Sequence, residues 1–592
     1  MPKTSKKNIN VWAILASLIA AAILIRIPLM VVRANVLPGD EVMLGIMGRQ
    51  ILQGKFPIFY LGQSYLGALA AYVTALLSLV LGMNGWTVQL ATFLFYLLFM
   101  GTHFFIVKRI FGLASAVYSS LFLVFASVMF SELSVRALGG YNEILFLGAL
   151  AFLLWCKVVV DKNHRYLFPL GLTLGVGCWV NPLVVVYIIP LICMTLYWHE
   201  GFRKRLPWIH PVKLFWVRDF KIPLWLKIPF ILVHIFAVAY ILKQIYVFFA
   251  GTWEAEWLGF DFTRPPFHFK GLRRMALLLG IEALCLVGVT VGIKNSWQFI
   301  RRHLGLLLGF LVGFMPSVIH AIAGGEGYRI LQGSSAISAQ EVTGKLAVIF
   351  LKLIPIDLWG FPRPAVSPGL FQIIPAALAV VVFLTAFLLY FYDRRRELFS
   401  FITLTKGIGS EGFFFCLLTV SILLITFVSS LIADRYLAPL CWVTAVVAGV
   451  LFAKLDGRFS YPAKGLLAVI LCYYFVAGYR YVVNYPRDRN IHGLVRVLEG
   501  EKIPGGATDY DNAYRLNFYS HGRLKFLPLE GMLRNKEDRA LVNGWEQKAL
   551  VFFADTHREQ FFAAHPDLKV VREIAYEEYS IFVIEGPTAF RM

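Results

Sequence analysis

Directly after its first long apolar stretch, the chain reads Leu37-Pro38-Gly39-Asp40-Glu41, two adjacent carboxylates at the mouth of a membrane span. A carboxylate without a partner costs several kcal/mol in lipid, so this pair belongs in water or at a site. We read Asp40 and Glu41 as the reactive edge of the protein, groups of the kind that do acid–base chemistry. A plainer account stands beside it: Asp40 caps a helix from Glu41 to about Gln53, and Glu41 is a first-turn charge favoured by the helix dipole. In that helix Val42, Ile46 and Ile51 share one face, and Arg49, Gln50 and Gln53 another, which predicts an interfacial helix lying flat on the bilayer. Glu143 opens an otherwise apolar helix, where a charge needs either a functional reason or dipole complementarity. His320, near the outer end of a span, reads either as a ligand for substrate or metal or, more simply, as a satisfied helix histidine, and His103 reads as the latter. No acidic or histidine cluster has ligand spacing, so a divalent metal is not indicated and metal dependence stays open.

These residues need elements to hold them. A chain of 592 residues that is 58% hydrophobic and 15% charged, with a mean hydropathy of +0.69, is no ordinary soluble protein, since charged residues there make up roughly a quarter. Apolar runs of span length predict about thirteen transmembrane helices, over 11–32, 86–107, 113–130, 143–160, 166–180, 181–198, 227–250, 276–293, 304–323, 371–391, 413–433, 436–453 and 463–483. The run Val11 to Val32 is too long for a signal-peptide core and lacks a small-residue cleavage site, which makes it a retained anchor. Tyr65 to Leu81 is ambiguous by hydropathy, and charge decides it. Read as a re-entrant or interfacial helix, it places Lys108-Arg109, Lys162 to Arg165, Arg203 to Lys227, Lys294 to Arg302, Arg394 to Arg396 and Lys454 to Lys464 on the cytoplasmic side. Asp40-Glu41 in the first outward loop (33–85), Ser131 to Glu143, the loop 324–370 and the tail then face outward. Lys270, Arg273 and Arg274 fit this topology least.

The formal charge of +21 is therefore topological, and a nucleic-acid partner is not expected. The run Arg203 to Lys227, with Trp208, Trp216 and Trp225, reads as a segment attracted to anionic lipid. All seven cysteines lie in or beside apolar runs, which argues against a disulfide framework and a zinc site. From about residue 486 to the end at 592 charges become frequent and short β-like runs appear, predicting a small extracytoplasmic α/β domain beyond a membrane module over 1–485. Its densest acidic spot, Asp509-Tyr510-Asp511, reads as a turn. The absence of an Asn-x-Ser/Thr sequon and of a retrieval signal points to a prokaryotic plasma membrane.

The order assembled so far resembles the GT-C superfamily of membrane glycosyltransferases, and in particular its protein mannosyltransferase and aminoarabinose transferase branch. The resemblance is carried by Gly39-Asp40-Glu41 with its amphipathic helix, Phe59-Tyr60-Leu61-Gly62-Gln63-Ser64-Tyr65-Leu66-Gly67, Gly139-Gly140-Tyr141-Asn142-Glu143 and Arg435-Tyr436-Leu437-Ala438-Pro439. It covers residues 1 to about 483 in layout. It implies an α-helical polytopic GT-C fold and transfer of a sugar from a polyprenyl-phosphate-linked donor to a hydroxyl of a lipid, glycan or protein acceptor. It implies Asp40 as general base, with Glu41 beside it, and Glu143 as the second outward acid that shapes the acceptor pocket or a metal. The branch often carries a Lys near the second interfacial helix, where this chain has Gln63-Ser64-Tyr65, so Gln63 and Tyr65 stand at the expected phosphate position.

A polyprenyl phosphate is already a good leaving group. The protein must deprotonate the acceptor and hold the phosphate's developing charge, and single displacement inverts the anomeric carbon. Arg435, able to snorkel to the headgroups and grip phosphate with two N–H groups, is the first choice for the cation; an interfacial anchor paired with Asp434 is the alternative. Arg329 in the glycine-rich start of the loop 324–370 is the second, and that loop is long enough to close over an acceptor. The rival reading is a transporter or flippase for a lipid-linked glycan, which would place charges near mid-membrane and show an inverted repeat, whereas the charges here cluster at one rim and no repeat is found.

Overall fold

The computed structural model describes residues 10–198, 293–323, 344–362, 370–402, 409–428, 434–485, 491–529, 536–543, 545, 547–553 and 558–585. The chain opens with α1 (Val11–Arg33), α2 (Gly39–Leu52), the two-stranded ribbon β1 (Phe59–Tyr60) and β2 (Gln63–Gly67), and α3 (Leu69–Leu81). Then come α4 (Gly85–Phe111), α5 (Leu113–Val124), α6 (Val128–Leu133), α7 (Tyr141–Trp155), α8 (Leu167–Val180) and α9 (Val185–Trp198). After α10 (Ile293–Ile322), a π-helix occupies Val348–Leu358, followed by α11 (Leu370–Asp393), α12 (Arg395–Ile402), α13 (Phe413–Val428), α14 (Ala438–Arg458) and α15 (Ser460–Val483).

Among the described residues seven helices are long and apolar enough to cross a membrane, which makes this a multi-pass membrane protein. One expected span is much shorter than the sequence suggests. The run 113–130 divides at Phe125 to Ser127, because the Ser127 hydroxyl caps a new helix by accepting from Phe130 N. The remaining α5 has 12 residues, about 18 Å at helical rise and short of the ~30 Å hydrocarbon core. Its last carbonyls, of Leu123 and Val124, are met by the buried guanidinium of Arg26 on α1. A charge inside the bundle is thereby spent on capping a broken helix. Asn181-Pro182 separates α8 from α9 where the expected spans 166–180 and 181–198 divide, with Asn181 Oδ1 accepting from Leu183 N at 2.9 Å. The spans expected over 227–250 and 276–293 lie outside the described residues but for Ile293, where α10 begins. The basic run Arg203 to Lys227 lies outside them too.

Two of the contacts that join the bundle illustrate how it is held. Glycines let α8 and α10 meet backbone to backbone: a Cβ on Gly171 would lie 2.0 Å from Leu306 O, and one on Gly309 2.2 Å from Phe168 O. At the end opposite the Asp40 loop, Arg109 of α4 grips Asp161 and Glu411 at 2.6 and 2.7 Å, joining three segments.

Beyond residue 490 lies an α/β unit: α16 (Ile491–Gly500), β3 (Gly505–Thr508), α17 (Tyr510–Tyr519), β4 (Lys525–Pro528), α18 (Lys536–Asn543), β5 (Gln547–Phe553), α19 (Arg558–Ala564), β6 (Val570–Tyr576) and β7 (Tyr579–Glu585). The strand order is β4-β3-β5-β7-β6, with β4, β3 and β5 parallel and β7 antiparallel to both its neighbours. The run Ala549 to Phe553 is apolar on both sides, as a strand covered on both faces requires. Ala549 and Val551 face α16 and α17, while Leu550 and Phe552 pack with Phe561 and Phe562 of α19. β6 and β7 are joined by the two-residue turn Glu577-Glu578.

Candidate functional site

The helix at the first outward loop begins two residues earlier than its pattern suggests. Its N-cap is Pro38, which has no side chain to bond with, so Asp40 sits in the first turn and is not the cap. Its side chain turns instead to the C-terminal unit, where Tyr510 donates its hydroxyl to Asp40 Oδ1 at 2.8 Å. Tyr60 on β1 donates to the Asp40 carbonyl at 2.5 Å, and Asp511 Oδ1 accepts from Gly39 N at 2.7 Å. Gly39 is required by this approach, since a Cβ there would lie 3.2 Å from Asp511 Cα.

Glu41 points the other way, into the protein, and is fully buried. Its Oε1 accepts from Arg33 Nη2 at 2.5 Å and Arg136 Nε at 3.0 Å, and its Oε2 from Ala137 N at 3.2 Å. Burial pushes this carboxyl up, but the two guanidinium groups and the backbone N–H outweigh it and hold the group below the usual carboxylate range. Arg33 also pairs with Glu132 and donates to Tyr485 at 2.9 Å, and Tyr481 donates to Glu132 Oε2 at 2.7 Å. Glu41 is thus occupied in a network tying α1, α2, α6 and α15 together, beside Asp40 in sequence but not at the same surface.

The remaining candidates assemble on the same rim. β1 and β2 pair Tyr60 with Gln63, which carries the chain from Asp40 to Tyr65. Tyr65 neighbours Tyr141 at the start of α7, and the Tyr141 and Tyr436 rings are 6.4 Å apart. The Arg435 guanidinium lies over both rings at 5.9 and 5.8 Å, close enough to interact electrostatically with both phenols. Asp434 does not engage the Arg435 side chain here, accepting instead from Arg435 N at 2.7 Å. Two residues beyond Tyr141, Glu143 is 2% exposed. Glu143 Oε2 and Arg435 Nε are both buried without a hydrogen-bond partner. Buried polar atoms normally have partners, so these two have capacity for a ligand or water.

Packing from the short helices holds the rim. Trp179 Nε1 donates to Ile58 O at 3.0 Å, and Asn181 Nδ2 to Gly139 O at 3.1 Å. His320, at the end of α10, sets its ring edge-on to Phe59 at 4.8 Å. Arg329 lies outside the described residues, as does most of the loop expected over 324–370. Among the described residues no group of three His, Cys, Asp or Glu side chains is placed to hold a metal ion.

The structure adds residues that sequence reasoning passed over: Arg33, Glu132, Arg136, Tyr510 and Asp511. The signal for the last two was present, since Asp509-Tyr510-Asp511 stood out as acidic. What reads as a turn is a helix start, with Asp509 accepting from Asn512 N at 3.0 Å.

Residues 67–217 match the family model described as dolichyl-phosphate-mannose-protein mannosyltransferase. No curated protein sequence matches the chain. Among solved structures the chain is similar to ArnT from Cupriavidus metallidurans in the apo state, at 13% identity over 98% of both chains, with a TM-score of 0.49. It is also similar to archaeal oligosaccharyltransferase AglB from Archaeoglobus fulgidus, in complex with an inhibitory peptide and a dolichol-phosphate. That match has 10% identity, covers 93% of this chain and 70% of the other, and has a TM-score of 0.50. The Archaeoglobus fulgidus oligosaccharyltransferase in complex with zinc and sulfate gives 11% identity, 93% and 69% coverage and a TM-score of 0.50. At such identities the two oligosaccharyltransferase likenesses establish the fold.

Proposed function

We propose that this chain, a membrane glycosyltransferase of the GT-C superfamily, moves a sugar from a polyprenyl-phosphate donor to a hydroxyl acceptor, with Asp40 as the general base. The acceptor hydroxyl gives its proton to Asp40, and its oxygen attacks the anomeric carbon. The bond from that carbon to the phosphate oxygen breaks, and polyprenyl phosphate leaves with the electron pair. A single displacement inverts the anomeric centre. Arg435, with Tyr65 and Gln63 on the adjoining ribbon, binds the phosphate and offsets its growing charge, while Glu143 borders the acceptor side. The observation that carries this reading is the pair of buried, unpartnered atoms, Glu143 Oε2 and Arg435 Nε, on the rim that also holds Asp40.

The reaction faces the extracytoplasmic side, with the N-terminus in the cytoplasm. Support comes from the basic segments: Arg109, Arg394, Lys454 and Lys464 sit at helix ends opposite the Asp40 rim, where the positive-inside rule places cytoplasmic loops. The lipid tail reaches the rim from the bilayer between spans, and the acceptor, on a lipid, polysaccharide or protein, comes from water.

Asp40→Asn keeps an oxygen for the Tyr510 hydroxyl, so the fold should persist. The expected result is a fall of at least about a hundredfold in polyprenyl phosphate release from dolichyl-phosphate mannose or another donor of a polyprenyl-phosphate-sugar panel, with the thermal midpoint unchanged. Transfer at a near-normal rate would remove Asp40 as the base.

A further inference from the structure

The geometry points to the C-terminal α/β unit as a fixed wall of the active site, with Tyr510 a positioning residue for Asp40. This rests on Asp40 being the base and assigns the unit a role that the base alone does not require.

The seam between the unit and the membrane module is built as a core. Leu37, Val42, Met43 and Met47 share one buried apolar cluster with Leu494, Leu498 and Phe518. The Phe518 ring fills the space left by Gly45, where a Cβ would lie 2.1 Å from it. Polar groups close the edges. Arg49 donates to the carbonyls of Asn517 and Phe518 at 3.4 and 3.0 Å, near the C-terminal end of α17 where a cation is favoured. Tyr519 donates to Ala34 O at 2.9 Å and accepts from Leu37 N at 3.3 Å. A lid that lifted along this seam would expose the apolar cluster to water and leave these groups unpaired, which the packing opposes.

Because α17 is fixed on α2, its first turn is fixed against the Asp40 loop. Asp509 caps that turn, and the Tyr510 ring is held edge-on to Tyr514 at 5.0 Å. Two consecutive residues then grip two consecutive residues: Tyr510 takes the Asp40 carboxylate and Asp511 takes Gly39 N–H. They lie just past the carboxyl end of β3, between β4 and β5, the point in a parallel sheet where crossovers diverge and functional groups gather. Holding one carboxylate oxygen fixes the plane of the base, leaving less reorganisation when the acceptor arrives.

The test is a double-mutant cycle on the full-length purified protein: wild type, Tyr510→Phe, Asp40→Asn and the double variant, followed by release of polyprenyl phosphate from dolichyl-phosphate mannose or the best donor of the panel. Tyr510→Phe should lower kcat about tenfold, leave KM for the donor within about twofold, leave the thermal midpoint in place, and add no further loss in the Asp40→Asn background. Asp511→Ala, at an exposed position, should give a smaller kcat loss with the same KM, and carries the test if Tyr510→Phe unfolds. Wild-type kcat in Tyr510→Phe, with Asp40→Asn inactive, would overturn the role of Tyr510 and leave the base in place. A faster Tyr510→Phe would make the phenol an occluding group and also overturn it. Asp40→Asn at the wild-type rate would remove the base, and the positioning role with it.

Discussion

Glu41 shows how a charge survives without water. Two guanidinium groups and a backbone N–H converge on its carboxylate, and breaking such a buried set from one side costs about 3 to 5 kcal/mol because it leaves charge uncompensated. Glu41→Gln is therefore expected to lower the thermal midpoint of the purified protein by several degrees. The pH dependence has a definite sign. The folded carboxyl is held below its unfolded value of about 4.3, so its stabilisation is present above that pH and is lost as pH falls through the folded value. The wild-type midpoint should drop more steeply below about pH 4 than that of Glu41→Gln, and equal slopes would contradict the network. In the sequence Asp40 and Glu41 read as a pair because they are neighbours. On a helix neighbours point about 100° apart, so one carboxylate meets Tyr510 and the other enters the core. Adjacency in sequence showed that acids gather here; it held no information on which one is consumed by structure.

At the scale of elements, the helices that carry the rim are held by glycine. Gly171 and Gly175 on α8 face Gly309 and Gly313 on α10, each at a spacing of four, so the two backbones touch, the arrangement membrane helices use where lipid removes the hydrophobic drive to pack. Hydropathy counts apolar residues and is blind to this, which is why both helices read only as spans. The consequence reaches the site, because the end of α8 supplies the Trp179 and Asn181 bonds and the end of α10 supplies His320. Gly309→Val should push α10 off Phe168, cost about 1 to 3 kcal/mol, and lower transfer through displacement of Ile58 and Gly139, whereas Gly457→Ala, where a Cβ meets nothing, should do neither. Thermal midpoint and donor turnover measured together would check it. The same blindness explains the short α5: the break at Ser127 comes from a capping bond, and an apolar run contains no record of where a cap interrupts it, whereas the break at Asn181 coincides with the expected boundary between 166–180 and 181–198.

For the whole molecule the question is whether the C-terminal unit must move for the reaction to turn over. Its strands were legible, because alternating or continuous apolar runs mark them. Its placement was not, because the surface that seats it consists of Gly45, Phe518, Arg49 and Tyr519, residues far apart in the chain whose complementarity appears only when both elements are folded. If the seam is permanent, the donor enters between spans and products leave by the same side or into water, with no opening of the unit. Asn35 and His492 sit exposed across the seam with side-chain atoms 3.3 Å apart, away from Asp40. Asn35→Cys with His492→Cys, in a background where the exposed Cys472 is Ser, can be bridged by a short cleavable bis-thiol reagent. The tethered enzyme should keep at least about half of its turnover, since the tether restrains a motion that the packing already forbids. Turnover that is lost on bridging and restored on cleavage would show instead that the unit lifts in every cycle, and the fixed wall would have to give way to a lid.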